Sequence, residues 1–293
     1  MKKLIITAAL LATTALASAQ TTVYGRMNAT VDNTKTGATT VNSIVNDISH
    51  IGFSVKEDLG NGLSARAVIE TSIGSQDPVN SAPTQLGDRQ STVGLAAKFG
   101  SVDVGRNVHG VFTTLGAGDS FGALYGSVAG DVHNLRGLRL SNGVFARVTA
   151  LPGVSLGADR TYTATGQEAT VYSAGTKIGI ANLGIAQFEQ GTEKSTVASA
   201  NAKFGNTGVF YSYSDNKGVD AYRGNLVGVS QKMGAYTLKA GYGKTNNNVE
   251  AYNVGAEYAL SKRTDLLVSY RNVDKAGTTA DIKQVGVGVT HRF

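Results

Sequence analysis

The stretch Val285-Gly286-Val287-Gly288-Val289 decides the fold. Successive side chains of an extended strand point to opposite faces. This run therefore puts three valines on one face and almost nothing on the other. Ile51, Phe53 and Val55 alternate with Gly52, Ser54 and Lys56 in the same way, and Leu266–Tyr270, Thr170–Ala174 and Val254–Tyr258 repeat the pattern. After Gln20 no run of ten apolar residues occurs, which excludes a membrane-spanning helix.

Working outward from these runs, alternating segments fall near 21–33, 48–58, 63–74, 89–99, 101–107, 143–151, 153–163, 168–179, 181–190, 194–204, 206–215, 222–233, 235–245, 249–260, 263–274 and 281–293. That is sixteen strands, each with its connection taking roughly seventeen residues. Their connections alternate in character. Leu59–Gly62, Phe99–Ser101, Pro152-Gly153, Gly179–Ala181, Gly205-Asn206, Gly234-Ala235 and Ser261-Lys262 are tight, whereas Thr34–Asp47, Ser75–Asp88, Val108–Asn142, Asp215–Ala221 and Lys275–Ala280 are longer and polar. Short turns at one rim and long loops at the other are the layout of an all-β, 16-stranded antiparallel transmembrane β-barrel.

Composition narrows the alternatives. Glycine contributes 37 of 293 residues, charged residues 16 % and hydrophobics 41 %, all unlike an ordinary soluble enzyme. A sandwich rarely reaches sixteen strands, and no short fixed repeat suggests a β-helix. An even strand number closes the sheet and leaves no edge unsatisfied in lipid. Pro78 and Pro83 fall in a long loop and Pro152 in a turn, where a missing amide donor does no harm. The chain has no cysteine, which excludes disulfides and thiol chemistry.

Residues 1–19 read as a cleaved signal peptide: Lys2 and Lys3, an apolar Leu4–Leu16, then Ala17-Ser18-Ala19, leaving Gln20 first. The barrel then occupies 20–293. Phe99 and Phe204 both end an Ala-Lys-Phe-Gly sequence before a short turn, and Tyr24, Tyr242, Tyr258, Tyr270 and Phe293 also lie toward strand ends. Such rings are expected to form girdles at the headgroup level.

Several motifs carry a family resemblance. Thr22-Val23-Tyr24-Gly25, Ile51-Gly52-Phe53 followed by Glu57–Leu63, Arg89-Gln90-Ser91 with Val93-Gly94-Leu95, Phe99–Val102, Val104-Gly105-Arg106, and Gly286–Phe293 together resemble the signatures of Gram-negative general porins of the beta-proteobacterial type. The resemblance implies a trimeric, water-filled outer-membrane pore narrowed by its third long loop, with no cofactor. It also implies that barrel-assembly machinery reads the terminal strand, so Phe293 is expected to serve as an assembly signal. The loop in question is 108–142, independently the longest connection, and five glycines between Gly116 and Gly130 suit its backbone to a tight space.

Parity and resemblance then place charges. With Leu63, Ala65, Ala67 and Ile69 toward lipid, Arg66 and Glu70 face the lumen. Arg89 and Arg139 match arginines of the family's eyelet, and His50 stands where another arginine is usual. Asp119 and Asp131 oppose them from the loop, which also carries Arg136. Arg106 shares parity with Val102 and Val104, so it lies at the interface or beyond a bulge.

Catalysis and metal binding find little support. Asp131-Val132-His133 supplies only two ligand types, and Gly243-Lys244-Thr245 ends a strand instead of opening a helix. The net charge of +6 comes from dispersed basic residues, which suits phosphorylated lipid headgroups such as lipopolysaccharide better than nucleic acid. The expectation is a homotrimeric channel for passive diffusion of small hydrophilic solutes and ions, weakly anion-selective. A solute-specific channel with an internal binding site is the second reading, and an outer-membrane enzyme or adhesin the third.

Overall fold

A computed structural model describes residues 19–73, 85–163, 166–219, 221–276 and 281–293. The signal-peptide reading of 1–19 and most of the loop Ser75–Asp88 lie outside the described residues. Strands follow in chain order: β1 Gln20–Thr36, β2 Thr39–Val45, β3 His50–Gly60, β4 Leu63–Ser72, β5 Gln90–Ala97 and β6 Gly100–Val108. Helices α1 Gly110–Ala117 and α2 Ala129–Val132 come next. The remaining strands are β7 Arg139–Val148, β8 Val154–Thr161, β9 Ala169–Ile178, β10 Ala181–Gln190, β11 Glu193–Phe204 and β12 Thr207–Lys217, then β13 Tyr222–Met233, β14 Tyr236–Thr245, β15 Val249–Ala259, β16 Thr264–Lys275 and β17 Ile282–Arg292.

Every strand pairs antiparallel with its neighbours, and β1 pairs with β17 from Arg26↔Arg292 to Thr36↔Ile282, which closes the sheet. Seventeen segments make sixteen staves. The reason is that β2 and β3 share one edge of β1: β2 pairs with Thr30–Thr36 and β3 with Gln20–Arg26. They are two halves of one stave, interrupted at 46–49, where Ile48 takes a positive φ of 55°. The expected loop Thr34–Asp47 is corrected accordingly. Most of it is a hairpin turning at Gly37-Ala38, because the β-branched residues of Thr39–Val45 favour pairing over a loop. Asn33 and Asn42 clasp across it at 2.7 Å.

The two faces of the sheet differ as the alternation requires. Val285, Val287 and Val289 are exposed while Gly286 and Thr290 are buried; Leu183 and Ile185 are exposed while Ala186 and Phe188 are buried. The exposed, apolar face carries Phe99, Phe204, Tyr242 and Tyr258 at strand ends. Tyr24 departs from the expected girdle. It shares parity with buried Asn28 and Thr30 and lies on the opposite, polar face.

That polar face supports the core. Val111 and Leu115 of α1 pack on Val171, Phe188 and Val197, and Val128, Ala129 and Val132 pack on Leu226, Ala251 and Val273. Full burial of each such valine or leucine contributes about 1.5–3 kcal/mol. The segment between β6 and β7 is thus a docked element, not a free loop.

Candidate functional site

The first part of β1, the start of β3 and the end of β4, with Arg89 just before β5, build a charged cluster on the polar face. Glu70 is its hub. It accepts from Arg89 Nε at 2.6 Å and from Tyr24 Oη at 3.1 Å, and its carboxylate lies 3.8 Å from His50 Nε2. His50 Nδ1 donates to the Ile48 carbonyl at 2.7 Å, which turns Nε2 toward Glu70. Tyr24 reaches Glu70 by crossing directly over Gly52. A Cβ at Gly52 would stand 2.3 Å from the Tyr24 ring, so only glycine leaves this path open.

Beside this cluster lies a cavity of about 370 Å³, lined by Arg89, Arg139, Arg271, Asp47 and Asp131 with Leu135 and Leu138. Asp131 pairs with Arg271 at 3.1 Å. Burial pushes the Asp131 carboxyl upward, and the positive charges of Arg271 and Lys275 pull it back. Arg139 has no such partner, and its Nε is buried without a hydrogen bond among the described residues. Arg106 is the residue at a bulge between Gly105 and Asn107, not beyond it. There it bonds the Asp88 carbonyl and Ser141 Oγ.

The segment between β6 and β7 is tied to the wall along its length. At its base, His109 Nε2 donates to the Gly137 carbonyl at 2.9 Å, joining the segment's two ends, and Asp159 accepts from the Gly110 amide at 3.1 Å. Burial lowers the His109 pKa. Along its middle, Ser120 Oγ donates to the Ala240 carbonyl at 2.9 Å, and Asn253 donates to the Gly126 carbonyl at 2.6 Å. Tyr125 donates its hydroxyl to Asp32 on β1. Burial and that bond raise the Tyr125 pKa to about 12, so the phenol stays a donor. Further on, His133 sits between Ser214 Oγ at 2.8 Å and Ser212 Oγ at 2.9 Å, and burial lowers its pKa to about 4.

The expected site residues therefore separate into groups. Arg89, Arg139 and Asp131 meet at one cavity, with His50 one contact away through Glu70. Arg66 has the polar-face position that parity assigned, but binds Asp103 and Ser101 near a tight turn, away from that cavity. Asp119 does not project from the segment. Its carboxylate accepts from Phe121 N, Ala123 N and Ser127 Oγ, because a tight glycine-rich turn leaves those donors otherwise unpaired. Arg136 is likewise withdrawn, pairing with Glu193 at 2.6 Å and lying over the Phe188 ring. Asp131 and His133 turn to different partners and assemble no ligand set. Asp47 and Arg271 were not anticipated. Arg271 was within reach, since Leu266, Val268 and Tyr270 fix the outward parity of β16 and leave Arg271 on the other face.

Comparison with known proteins adds the following. Residues 7–278 match the family model described as Gram-negative porin. The major outer membrane protein P.IB of Neisseria meningitidis is 38 % identical over 117 residues, which cover 36 % of this chain and 34 % of the relative. The match thus spans about a third of that protein's length. An anion-selective porin from Comamonas acidovorans superposes with a TM-score of 0.79 at 20 % identity, over 94 % of this chain and 100 % of the other. Outer-membrane expressed OmpT of Vibrio cholerae superposes with a TM-score of 0.72 at 13 % identity, over 94 % and 98 %. At these identities the two structures speak for the fold alone.

Proposed function

The chain belongs to the Gram-negative porin family, and from that premise we propose that it forms an outer-membrane channel for passive diffusion of small hydrophilic solutes and ions. The single observation that carries this reading is the two-faced closed barrel. An apolar exposed belt suits lipid, and a charged opposite face suits a water-filled lumen. On this reading the docked segment between β6 and β7 narrows the lumen, and solutes pass by the cavity lined by Arg89, Arg139, Arg271, Asp47 and Asp131. No bond is made or broken in this function. Selectivity arises from fixed charge alone.

In the passage Arg89 faces Glu70 and Arg271 faces Asp131, so those charges nearly cancel. Arg139 and Asp47 remain, and neither forms an ion pair among the described residues. Two unit charges 4 Å apart interact by about 1 kcal/mol in water and about 4 at an effective dielectric of 20. A wet constriction lies between these limits, and so close a balance of fixed charge gives only weak selectivity, with the unpaired Arg139 favouring anions without excluding cations. Three such barrels assemble as a homotrimer in contact with outer-membrane lipid and lipopolysaccharide, and barrel-assembly machinery reads the strand ending in Phe293. The test is single-channel recording in a planar bilayer. Linear conductance closing in three equal steps supports the reading, and absence of any conductance from purified folded protein overturns it.

A further inference from the structure

Away from the charged passage, on the side of α1 toward the tight turns, α1 and the polar face enclose a recess of about 260 Å³. Thr114 of α1, Arg147 of β7, Ser173 of β9, Asn182 of β10, and Ser199 and Asn201 of β11 present side chains to it. Their bonding is incomplete in a specific way. The hydroxyls of Thr114, Ser173 and Ser199 make no hydrogen bond among the described residues, and their oxygens are open to the recess and not sealed in the wall. Asn201 accepts from Asn182 at 2.8 Å and donates to the Ala117 carbonyl at 3.0 Å, which leaves the Asn182 carbonyl oxygen open.

The charge of the recess is balanced. Arg147 directs Nη1 to Asp159 and to the Ala146 carbonyl, while Nη2 bonds no described residue. With that arginine neutralised, the recess holds no net charge to attract an anion. What remains are hydroxyls and amides that both donate and accept, the same dual capacity as the hydroxyls of a polyol. Gly184 keeps the space clear. A Cβ there would lie 2.9 Å from Ser199 Oγ and 3.4 Å from a Thr114 methyl.

We infer that this recess is a weak binding subsite for a small neutral polyhydroxylated solute, a linear polyol or a single sugar ring. The inference rests on the porin reading, because a solute reaches the recess only through the lumen. Saturation-transfer NMR on the detergent-solubilised full barrel tests it, with xylitol and glucose as neutral probes and citrate as the anionic one. Xylitol or glucose should half-saturate in the millimolar range, with citrate weaker. The double variant Ser173→Ala/Ser199→Ala should weaken the neutral probes at least about fivefold, and Gly184→Val should abolish their signal. Salt conductance of both variants should match wild type, which certifies that the barrel has folded. Preference for citrate, or wild-type affinity in both variants, overturns the subsite. So does a conducting wild type that binds neither neutral probe. Loss of conductance in wild type would instead strike the porin reading itself.

Discussion

Phe293 and Gly25 close the barrel by exchanging both backbone hydrogen bonds, Gly25 N to Phe293 O at 3.0 Å and Phe293 N to Gly25 O at 3.1 Å. The ring then lies over the glycine, so that a Cβ at position 25 would stand 2.4 Å from it. Gly25→Val is therefore expected to displace the ring and destabilise the seam by about 1–3 kcal/mol, the usual cost of overpacking. Phe293→Ala keeps the backbone pairing and loses the ring. We expect both variants to lower the yield of heat-modifiable barrel in outer membranes. Gel mobility with and without heating measures this, and normal yields from both would remove the seam and the assembly signal from Phe293.

The Glu70 hub makes selectivity predictable in sign. Arg89 is neutralised by Glu70, whereas Arg139 forms no ion pair among the described residues. Glu70→Gln should release the Arg89 charge and strengthen anion preference. Arg139→Ala should shift the channel toward cations, and by more than Arg89→Ala. Zero-current potentials in a salt gradient read all three. A wild type already preferring cations, or Glu70→Gln moving toward cations, would defeat this arrangement.

How much of this was legible in the sequence follows from which physical signal each residue carries. The barrel rests on period-two alternation, and alternation reads from neighbouring residues alone, which is why β13 at Tyr222–Met233 has the bounds its sequence gives. The stave split into β2 and β3 did not read, because Asn42-Ser43 breaks the alternation of Thr39–Val45, whose strand form is completed by pairing with β1. Parity also puts Arg66 on the face it shares with buried Ser64. Asp119 and Arg136 escaped, since whether a loop carboxylate turns outward or caps its own backbone depends on a fold within the loop. Tyr24 misled for a related reason: an aromatic near a strand end suggests a girdle until Gly52 across the sheet offers it a path.

His133 gives the segment a pH dependence whose sign is fixed by burial. Its pKa in the docked state is about 4, below the ordinary value near 6.5. The docked state thus prefers the neutral ring, which Ser212 and Ser214 hold. Stability from this contact is complete above pH 6.5 and is lost as pH falls from there toward 4, by about 3 kcal/mol. Asp131 works in the opposite direction, since its raised pKa favours docking as it gains a proton. Arg271 faces Asp131 at 3.1 Å. Channel closures and current noise should rise between pH 6.5 and 4 in wild type. In His133→Gln that rise should be flattened, and an unchanged profile in this variant would assign the effect elsewhere.

Tyr125 and Gly286 set where the middle of the segment rests. A Cβ at Gly286 would fall 1.6 Å from Tyr125 Oη, so the hydroxyl reaches Asp32 only across a bare glycine. Asp32 also accepts from Gln284 on the adjoining strand, which binds segment and seam through one carboxylate. Gly286→Ala leaves the strand intact but pushes the tyrosine away from the wall, and in a narrow lumen that displacement obstructs the passage. Its expected result is reduced single-channel conductance with normal barrel yield. Tyr125→Phe acts differently, because the ring still fits beside the glycine while a bond to a charged acceptor, worth about 1.5–3 kcal/mol, is lost. That loss raises the undocked fraction roughly tenfold to a hundredfold and should appear as current noise at unchanged mean conductance. The two variants are recorded side by side in the same salt. If Gly286→Ala conducts as well as wild type and Tyr125→Phe is equally quiet, the Tyr125–Asp32 contact does not hold the segment in place.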